Sequence, residues 1–329
     1  MGVGKMIQDN KLPDNELPEY GIMFVNVVTP LHNGSGEGLG FVDNPILRER
    51  TTQFPIIQAS SIKGVLRDSY EERGSQCVEL LFGPPPGKGE KHSGAISFGD
   101  GQILAFPVRS VKGCFAWITS PHVLWRFYKK LCLMGLEKQF PELTESMTQV
   151  RSGLNNALIC PSGNNELCLQ KNKIFLEEFP VTCVDSDEFE NIAKVIGEKV
   201  YGNVKDSFLK SEFEKKLVLL DDDTFRYFIT NATEIVPNIR IGENGTTKDG
   251  SLRYTEYLPS ESIMYSTMIY EKSRKKDTPL KAKDIMDYFK KDFPDQSAIQ
   301  IGGDATTGKG IVKLSLLNLP PNDIVSKQS

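Results

Sequence analysis

None of the six cysteines (Cys77, Cys114, Cys132, Cys160, Cys168 and Cys183) stands in a C-x-x-C pair. That spacing argues against a zinc ribbon or a disulfide framework and fits a reducing cytoplasm. No apolar run approaches the ~20 residues of a membrane span, so no membrane partner is expected. Residues Met1–Tyr20 are polar and proline-containing and lack an apolar signal core, so export is not expected either. Positive charge is not in excess. Lys and Arg total 39 against 43 Asp and Glu, for a formal net charge of −4. The chain therefore has no global nucleic-acid fingerprint, although a basic stripe on an acidic protein suffices for that task. What is there is the composition of a soluble globular protein, 39% hydrophobic and 25% charged over 329 residues. That length suits one large domain or two ordinary ones.

The hydrophobic pattern predicts a strand over Gly21–Thr29, running into a glycine-studded loop that contains Gly34, Gly36, Gly38 and Gly40. A short apolar stretch, Gln53–Gln58, precedes a helix opening at SSIKGVLR, with Ser60 or Ser61 as its N-cap. GPPPGKGEKHSG, residues 83–94, reads as a flexible insertion of turn formers. Strands are expected over Ile96–Leu104, Gly113–Thr119, Ile174–Val184 and Ile263–Glu271. Helices are expected over Pro121–Leu133, Asp187–Lys199 and Leu280–Lys291. Thr233–Ile241 and Leu252–Leu258 look like the arms of a long exposed hairpin. Ile299–Gly302 and Gly310–Leu316 flank a last glycine loop, GGDATTGKG. This order suits an α+β, ferredoxin-like domain better than a doubly wound parallel sheet. The expected organisation is a polar tail, 1–20, followed by a single elaborated domain, 21–329, with its thumb-like hairpin at about 233–258.

Two near-motifs fail. Gly303, Gly308 and Lys309 have P-loop spacing, but Gly310 stands where a magnesium-binding Ser or Thr is required, and a β-like segment follows instead of a helix. The first loop is not a Rossmann turn, because no helix follows Gly40 promptly. A nucleotide cofactor is therefore not expected. What survives for Gly302–Gly310 is either an ordinary glycine hairpin or a nest of amides that, with Lys309, cradles phosphates.

Other residues carry similar pairs of readings. Lys63 and Arg67, four apart on one helix face, are a solvated basic face or the grip on an anionic backbone. His32 and Asp43, eleven apart on the first loop, have the right chemistry for proton transfer in phosphodiester cleavage. Asp43 could equally hold a hydrated divalent cation, or be a turn residue bonding its own backbone. His32 could simply be satisfied by backbone groups at the strand end. Arg253, Tyr254, Glu256 and Tyr257 on the hairpin pack across strands or approach bases and phosphates. The basic run from Lys272 to Lys283 is read as a solvated face, with a phosphate patch as the alternative.

Taken in order, TPLHNGSGEGLGFVDNPILRER, SSIKGVLR, LFGP, GAISFGDGQIL, FPVRSVKGCFAWITSP, the TEYLP hairpin end and IQIGGDATTGKGIV resemble the repeat-associated mysterious protein (RAMP) superfamily. The resemblance is to the multi-copy backbone subunits of Cmr-type (type III-B) CRISPR effector complexes. It implies a ferredoxin-like (RRM-like) palm with a thumb hairpin, polymerised on a crRNA guide beside neighbouring copies of itself and other Cmr subunits. It also implies a metal-dependent endoribonuclease, with magnesium or manganese as the cation. Complementary target RNA would be cut at regular six-nucleotide intervals to 2′,3′-cyclic phosphate and 5′-hydroxyl ends. On that pattern Asp43 is the principal cleavage residue, and His32, Glu256 and Tyr257 are the candidate catalytic residues beside it. Ser61, Lys63, Arg67, Gly34, Gly36, Arg48, Gly302, Gly303, Lys309 and Arg253 fall on RNA-binding segments. Relatives carry two acids before the hairpin tyrosine. Here the first is Thr255, which leaves open which hairpin acid assists. Two alternatives stand beside this: a non-catalytic RNA-binding scaffold of the same kind of complex, and a guide-processing ribonuclease acting as a monomer.

Overall fold

The computed structural model describes residues 17–318 apart from positions 37, 39, 86, 88–91, 144–155, 202–206, 276 and 296. Most of the expected tail and part of the expected insertion at 83–94 lie outside the described residues. The first strand, β1 (Glu19–Val27), begins two residues earlier than its apolar pattern suggests. Strands β2 (Ile56–Ile57), β3 (Ile96–Phe98), β4 (Gly101–Arg109), β5 (Phe115–Thr119), β6 (Ala157–Ile159), β7 (Lys173–Leu176) and β8 (Phe179–Asp185) follow. The remaining strands are β9 (Leu217–Leu219), β10 (Glu234–Asn238), β11 (Arg253–Tyr257), β12 (Ile263–Tyr270), β13 (Ala298–Gln300) and β14 (Ile311–Asn318). The helices described are α1 (Ala59–Glu72), α2 (Val78–Phe82), α3 (Pro121–Leu133), α4 (Asn164–Leu167), α5 (Asp187–Tyr201), α6 (Ser207–Lys216), α7 (Asp222–Asn231) and α8 (Ala282–Asp292).

At the centre, β1 pairs antiparallel with both β12 and β14, and β12 pairs antiparallel with β4. The path β1–α1–β4–β12–α8–β14 therefore gives the spatial order β14-β1-β12-β4. That is the split βαβ arrangement of a ferredoxin-like sheet, as the element order predicts. Everything between β4 and β12 is insertion. It extends the same sheet through β5, β9, β6, β8 and β7 and adds the separate β10–β11 hairpin. Strand β4 serves both parts: Gln102–Ala105 pair with β12, while Phe106–Arg109 pair with β5.

A bare ferredoxin-like sheet has helices on one face only. Here α1 and α8 cover that face, where Tyr70 stacks on Phe289 at 5.5 Å and Tyr270 meets Phe289 at 5.7 Å. Tyr265, five residues from Tyr270 in β12, points the other way. It meets Phe127 of the inserted α3 at 4.8 Å, and Phe24 of β1 lies 6.1 Å from the same ring. Both faces are thus closed. This explains why Ile22–Val25 are buried without alternation, where a half-solvated strand would alternate. It also removes the sheet face as a ligand platform and leaves the loops at the strand ends.

Local rules set some boundaries and tertiary contacts set others. Helix α3 starts as expected, with Ser120 capping Val123 N–H at 3.3 Å and Pro121 in the first turn. Helix α1 does not start at Ser60 or Ser61. Its first residue is Ala59, whose N–H donates to Asp100 Oδ1 at 2.8 Å from the β3–β4 turn. Buried Ile62, Leu66 and Tyr70 form its inward stripe. The single strand expected over Ile96–Leu104 is two, divided at Gly99–Asp100, and that over Ile174–Val184 is the hairpin β7–β8. The expected long hairpin forms, with five residue pairs between β10 and β11 and an exposed stretch, 239–250, beyond them. Among the described residues, no helix is long and apolar enough to cross a membrane.

Candidate RNA-cleaving site

The two glycine loops and the hairpin base meet at the end of β1. Leu31 and Leu258 exchange backbone hydrogen bonds at 2.9 and 2.8 Å, which joins the exit of β1 to the exit of β11. Pro30 O accepts from Gly310 N–H at 2.9 Å, and His32 O accepts from Gly303 N–H at 2.9 Å, which seats the C-terminal loop beside the first. His32 is therefore central. Its Nδ1–H donates to Glu256 O at 2.8 Å, since a carbonyl only accepts, and its ring stands edge-on to Tyr257 at 5.7 Å. Two glycines make this packing possible. A Cβ on Gly34 would lie 2.6 Å from His32 Nε2, and one on Gly302, at φ +87°, would overlap the His32 carbonyl oxygen.

Beyond His32 the first loop folds back on itself. Leu47 N–H donates to Asn33 O at 2.8 Å and Ser35 N–H to Pro45 O at 3.1 Å. The returning arm then runs parallel to β11: Asn44 N–H donates to Tyr254 O and Glu256 N–H to Asn44 O, both at 3.0 Å. Asp43 sits at the start of this arm. Its side chain is exposed, and Oδ2 accepts from Tyr254 N–H at 2.7 Å. A short charged bond of that kind fixes the carboxylate direction while leaving the other oxygen to solvent.

Glu256 is handled differently. It is 6% exposed, and both of its oxygens are engaged. Oε1 accepts from Arg48 Nη2 at 2.6 Å and from Thr233 Oγ1 at 2.8 Å, while Oε2 accepts from Ile46 N–H at 3.0 Å. The Arg48 Nη1 donates to Gln53 O at 2.9 Å and to Ile229 O at 3.0 Å. Arg48, expected at the RNA, is thus turned inward, and its task here is to pair Glu256. The buried Thr255 hydroxyl accepts from Asn44 Nδ2 at 3.3 Å and Asn238 Nδ2 at 3.1 Å. Tyr257, 3% exposed, donates to Asp304 Oδ2 at 2.7 Å, and Lys309 Nζ stands 4.8 Å from the centre of its ring. Burial, then the bond to Asp304, pushes the Tyr257 phenol up to about 12. The side chain is a neutral donor that ties hairpin to loop.

On α1, Ser61 Oγ lies 3.4 Å from Asn33 Oδ1, so the first helical turn abuts the first loop. Lys63 is half-buried and has no ion-pair partner among the described residues, whereas Arg67 donates to Glu71 Oε1 and Gly83 O, both at 2.8 Å. Gly36, Gly303 and Arg253 are exposed. The structure thus gathers His32, Asp43, Glu256, Tyr257, Gly34, Gly302, Gly303 and Lys309 in one bonded neighbourhood.

Sequence reasoning missed Asp304, although it stands inside the glycine loop, and Glu234, the first residue of β10. Burial raises the Glu234 carboxyl, with Lys309 opposing. Nothing in its local sequence distinguishes Glu234 from a solvated strand residue.

Among the described residues no three His, Cys, Asp or Glu side chains cluster in a way that would hold a metal ion. Asp43 offers a single carboxylate. That suits a small hard cation that keeps most of its water and takes other ligands from phosphate, not one caged by protein.

Comparison with known proteins agrees with this architecture. The RAMP superfamily model matches residues 24–313. The CRISPR system Cmr endoribonuclease Cmr4 of Pyrococcus furiosus is 37% identical over 305 residues, covering 90% of this chain and 95% of the relative. The crystal structure of oligomeric Cmr4 from that organism aligns with a TM-score of 0.66 and 30% identity, over 92% of this chain and 99% of that one. A chain from the type III-B Cmr-beta complex bound to cognate target RNA shares the fold, with a TM-score of 0.71 at 19% identity over 92% and 98% of the two chains. An inserted ferredoxin-like sheet, two glycine loops meeting a hairpin base and these likenesses lead to one assignment: the chain belongs to the RAMP superfamily, as a Cmr4-type backbone subunit of type III CRISPR effector complexes.

Proposed function

We propose that this chain lies along a crRNA guide in several copies and cuts the complementary target RNA, with Asp43 acting at each scissile phosphate. One observation carries this reading: Asp43 is an exposed carboxylate aimed by a 2.7 Å bond from Tyr254 N–H, at the junction of both glycine loops and the hairpin. The RNA supplies its own nucleophile. The target 2′-oxygen attacks the adjacent phosphorus, the bond to the 5′-oxygen breaks, and the 2′ proton leaves as another reaches the 5′-oxygen. The products are a 2′,3′-cyclic phosphate and a 5′-hydroxyl, with cuts repeating at six-nucleotide intervals set by the copies. Asp43 accepts the 2′ proton or holds a hydrated magnesium or manganese ion. Such a cation, when bound, supplies Lewis-acid stabilisation of charge on the phosphoryl oxygens. His32, with Nδ1–H committed to Glu256 O, presents Nε2 as its remaining proton-transfer atom.

Lys63, Arg67, Ser61, Arg253, Lys309 and the amides of Gly34, Gly36 and Gly302 contact RNA backbone in this arrangement, while Gly303, its N–H committed to His32 O, holds the loop beside it. Glu256 and Tyr257 are positioning residues. The experiment is cleavage by a complex reconstituted with guide and with D43A or D43N. Target should still bind while its fragments disappear, and undiminished cutting would remove Asp43 from the chemistry. A second reading, a non-catalytic scaffold, is favoured by the internal engagement of Glu256, Tyr257 and Arg48. Regularly spaced fragments from the wild-type complex decide against it.

A further inference from the structure

Phe41 lies two residues before Asp43, and its side chain is wholly exposed, at 102%. The turn that carries it is closed. Gly38 N–H donates to Asp43 O at 2.8 Å, and a Cβ on Gly38 would come within 2.6 Å of the Val42 carbonyl oxygen. Residues 38 and 43 are thereby held together, with Phe41 on the outside of the turn. The Asp43 carboxylate is tied to Tyr254 N–H, and Tyr254 is itself an exposed aromatic at 38%. Each side of the bond that aims Asp43 therefore carries a ring in water.

The surroundings discriminate between occupants. Gly40, Asp43 and Arg253 are exposed, and Val42 is half-buried. No apolar collar is present among these neighbours of the kind that would desolvate an aromatic anchor in a protein interface. A nucleobase needs none. It offers a flat apolar face for stacking and keeps its polar edge in water. Of the exposed aliphatics of the hairpin, Leu252 directly precedes Arg253 and adds one apolar neighbour to this edge, while Ile235, Ile239 and Ile241 lie on the other arm.

We propose that Phe41 is a base-stacking residue. Its ring takes the face of a target-RNA base beside the scissile phosphate, and Tyr254 offers a platform on the other side of the carboxylate. The proposal rests on the RNA-cleaving reading above and adds a physical step to it. In a continuously stacked strand the 2′-oxygen does not lie opposite the 5′-oxygen. Drawing one base out of the stack onto Phe41 rotates its nucleotide toward in-line geometry, which is an orientational contribution to rate.

The test uses the reconstituted complex with 2-aminopurine placed next to a mapped cut site. F41A should slow single-turnover cleavage about tenfold while leaving target affinity within about twofold, the scale expected for loss of one stacked base that acts mainly on orientation. F41W should restore the rate. In a D43A background, which removes cutting, adding F41A should lower 2-aminopurine fluorescence, because a base no longer held on Phe41 returns to the stack, where its neighbours quench it. Wild-type cleavage with an F41A rate and fluorescence equal to wild type would overturn the proposal. So would p-benzoylphenylalanine at position 41 that crosslinks to a neighbouring protein copy and not to RNA. A wild-type complex that binds target without cutting removes the nuclease reading, and the fluorescence comparison then decides stacking by itself.

Discussion

Asp43 and Glu256 are carboxylates on two segments that hydrogen-bond to each other, yet the fold treats them in opposite ways. At the loop tip, Asp43 is exposed and takes one backbone donor. At the hairpin base, Glu256 is buried and takes an arginine, a hydroxyl and a backbone N–H. A carboxylate with its lone pairs committed in a dry place holds structure, because moving it would leave several donors unpaired. One held by a single bond in water keeps its direction and can still accept a proton or a ligand. The position of Asp43 depends on Glu256, since the arm beginning at Asp43 is clamped through Ile46 and Asn44 to β11.

The comparison is broken most directly by neutralising each acid without changing its shape. D43N should lower target cleavage by about 10²–10⁴-fold, the usual span for a proton-transfer residue, with the thermal midpoint unchanged. E256Q should instead lower stability by about 1–3 kcal/mol, because it weakens charged hydrogen bonds in a buried place, and reduce cleavage only as the loop loosens. Gel-resolved single-turnover rates beside thermal melts separate the two. An E256Q protein of full stability that no longer cuts would make Glu256 catalytic and end the distinction.

Removing Arg48 sharpens the same point. R48A strands Glu256 as a nearly buried charge, the side chains of the pair being 13% and 8% exposed. The expected cost is about 3 kcal/mol, the lower end for breaking a buried pair from one side. E256Q added to R48A should recover part of that loss in a double-mutant cycle read by denaturant unfolding. Simple additivity would mean that the two side chains do not act as a pair.

That pairing could not be read from the chain, because Arg48 and Glu256 are 208 residues apart. Local signals carried much of the rest. Ser120-Pro121 followed by an apolar stripe fixes α3, and the two hairpin arms stand out around a turn-rich tip. The His32–Asp43 loop reads from sequence as a ligand loop, whereas Gly302–Gly310 reads equally as an ordinary glycine hairpin, and only the resemblance joins the two to RNA. Their convergence on one another is a consequence of β1 and β14 being sheet neighbours. Where tertiary contacts override local preference, the reading slipped. Asp100 draws the start of α1 back to Ala59, and Gly99–Asp100 splits β3 from β4. No element is expected from the pattern over the stretch holding β9 and α7, although Asp221 caps Thr224 N–H at 2.9 Å in the ordinary way.

Tyr257 tests the tie between hairpin and glycine loop. Y257F removes the bond to Asp304 and should cost about 1 kcal/mol. Because the folded phenol sits at about 12 against an ordinary 10.0, its contribution is complete below pH 10.0 and is lost as pH rises through 12. The difference in stability between wild type and Y257F should therefore be constant across neutral pH and shrink only in strong alkali. The pH profile of cleavage should keep its shape, and a displaced basic limb in Y257F would instead make Tyr257 a proton donor to the reaction.

The smallest expected effects repeat the contrast with cations. Lys63 and Arg67 share one face of α1, but Lys63 has no ion-pair partner among the described residues while Arg67 is bonded to Glu71 and Gly83. K63A should weaken guide RNA binding evenly across sequences and lower the salt slope by about 1, with stability within about 0.5 kcal/mol of wild type. R67A should lower the slope less, since part of its guanidinium is already occupied, and should lose stability through the Gly83 carbonyl that it leaves without that donor. Equal slopes and equal stabilities for the two variants would show that the internal bonds of Arg67 give way when RNA arrives. The rule drawn from Asp43 and Glu256 would then hold for buried groups and fail on an exposed helix face, where an i,i+4 pair such as Arg67–Glu71 is worth only a few tenths of a kcal/mol.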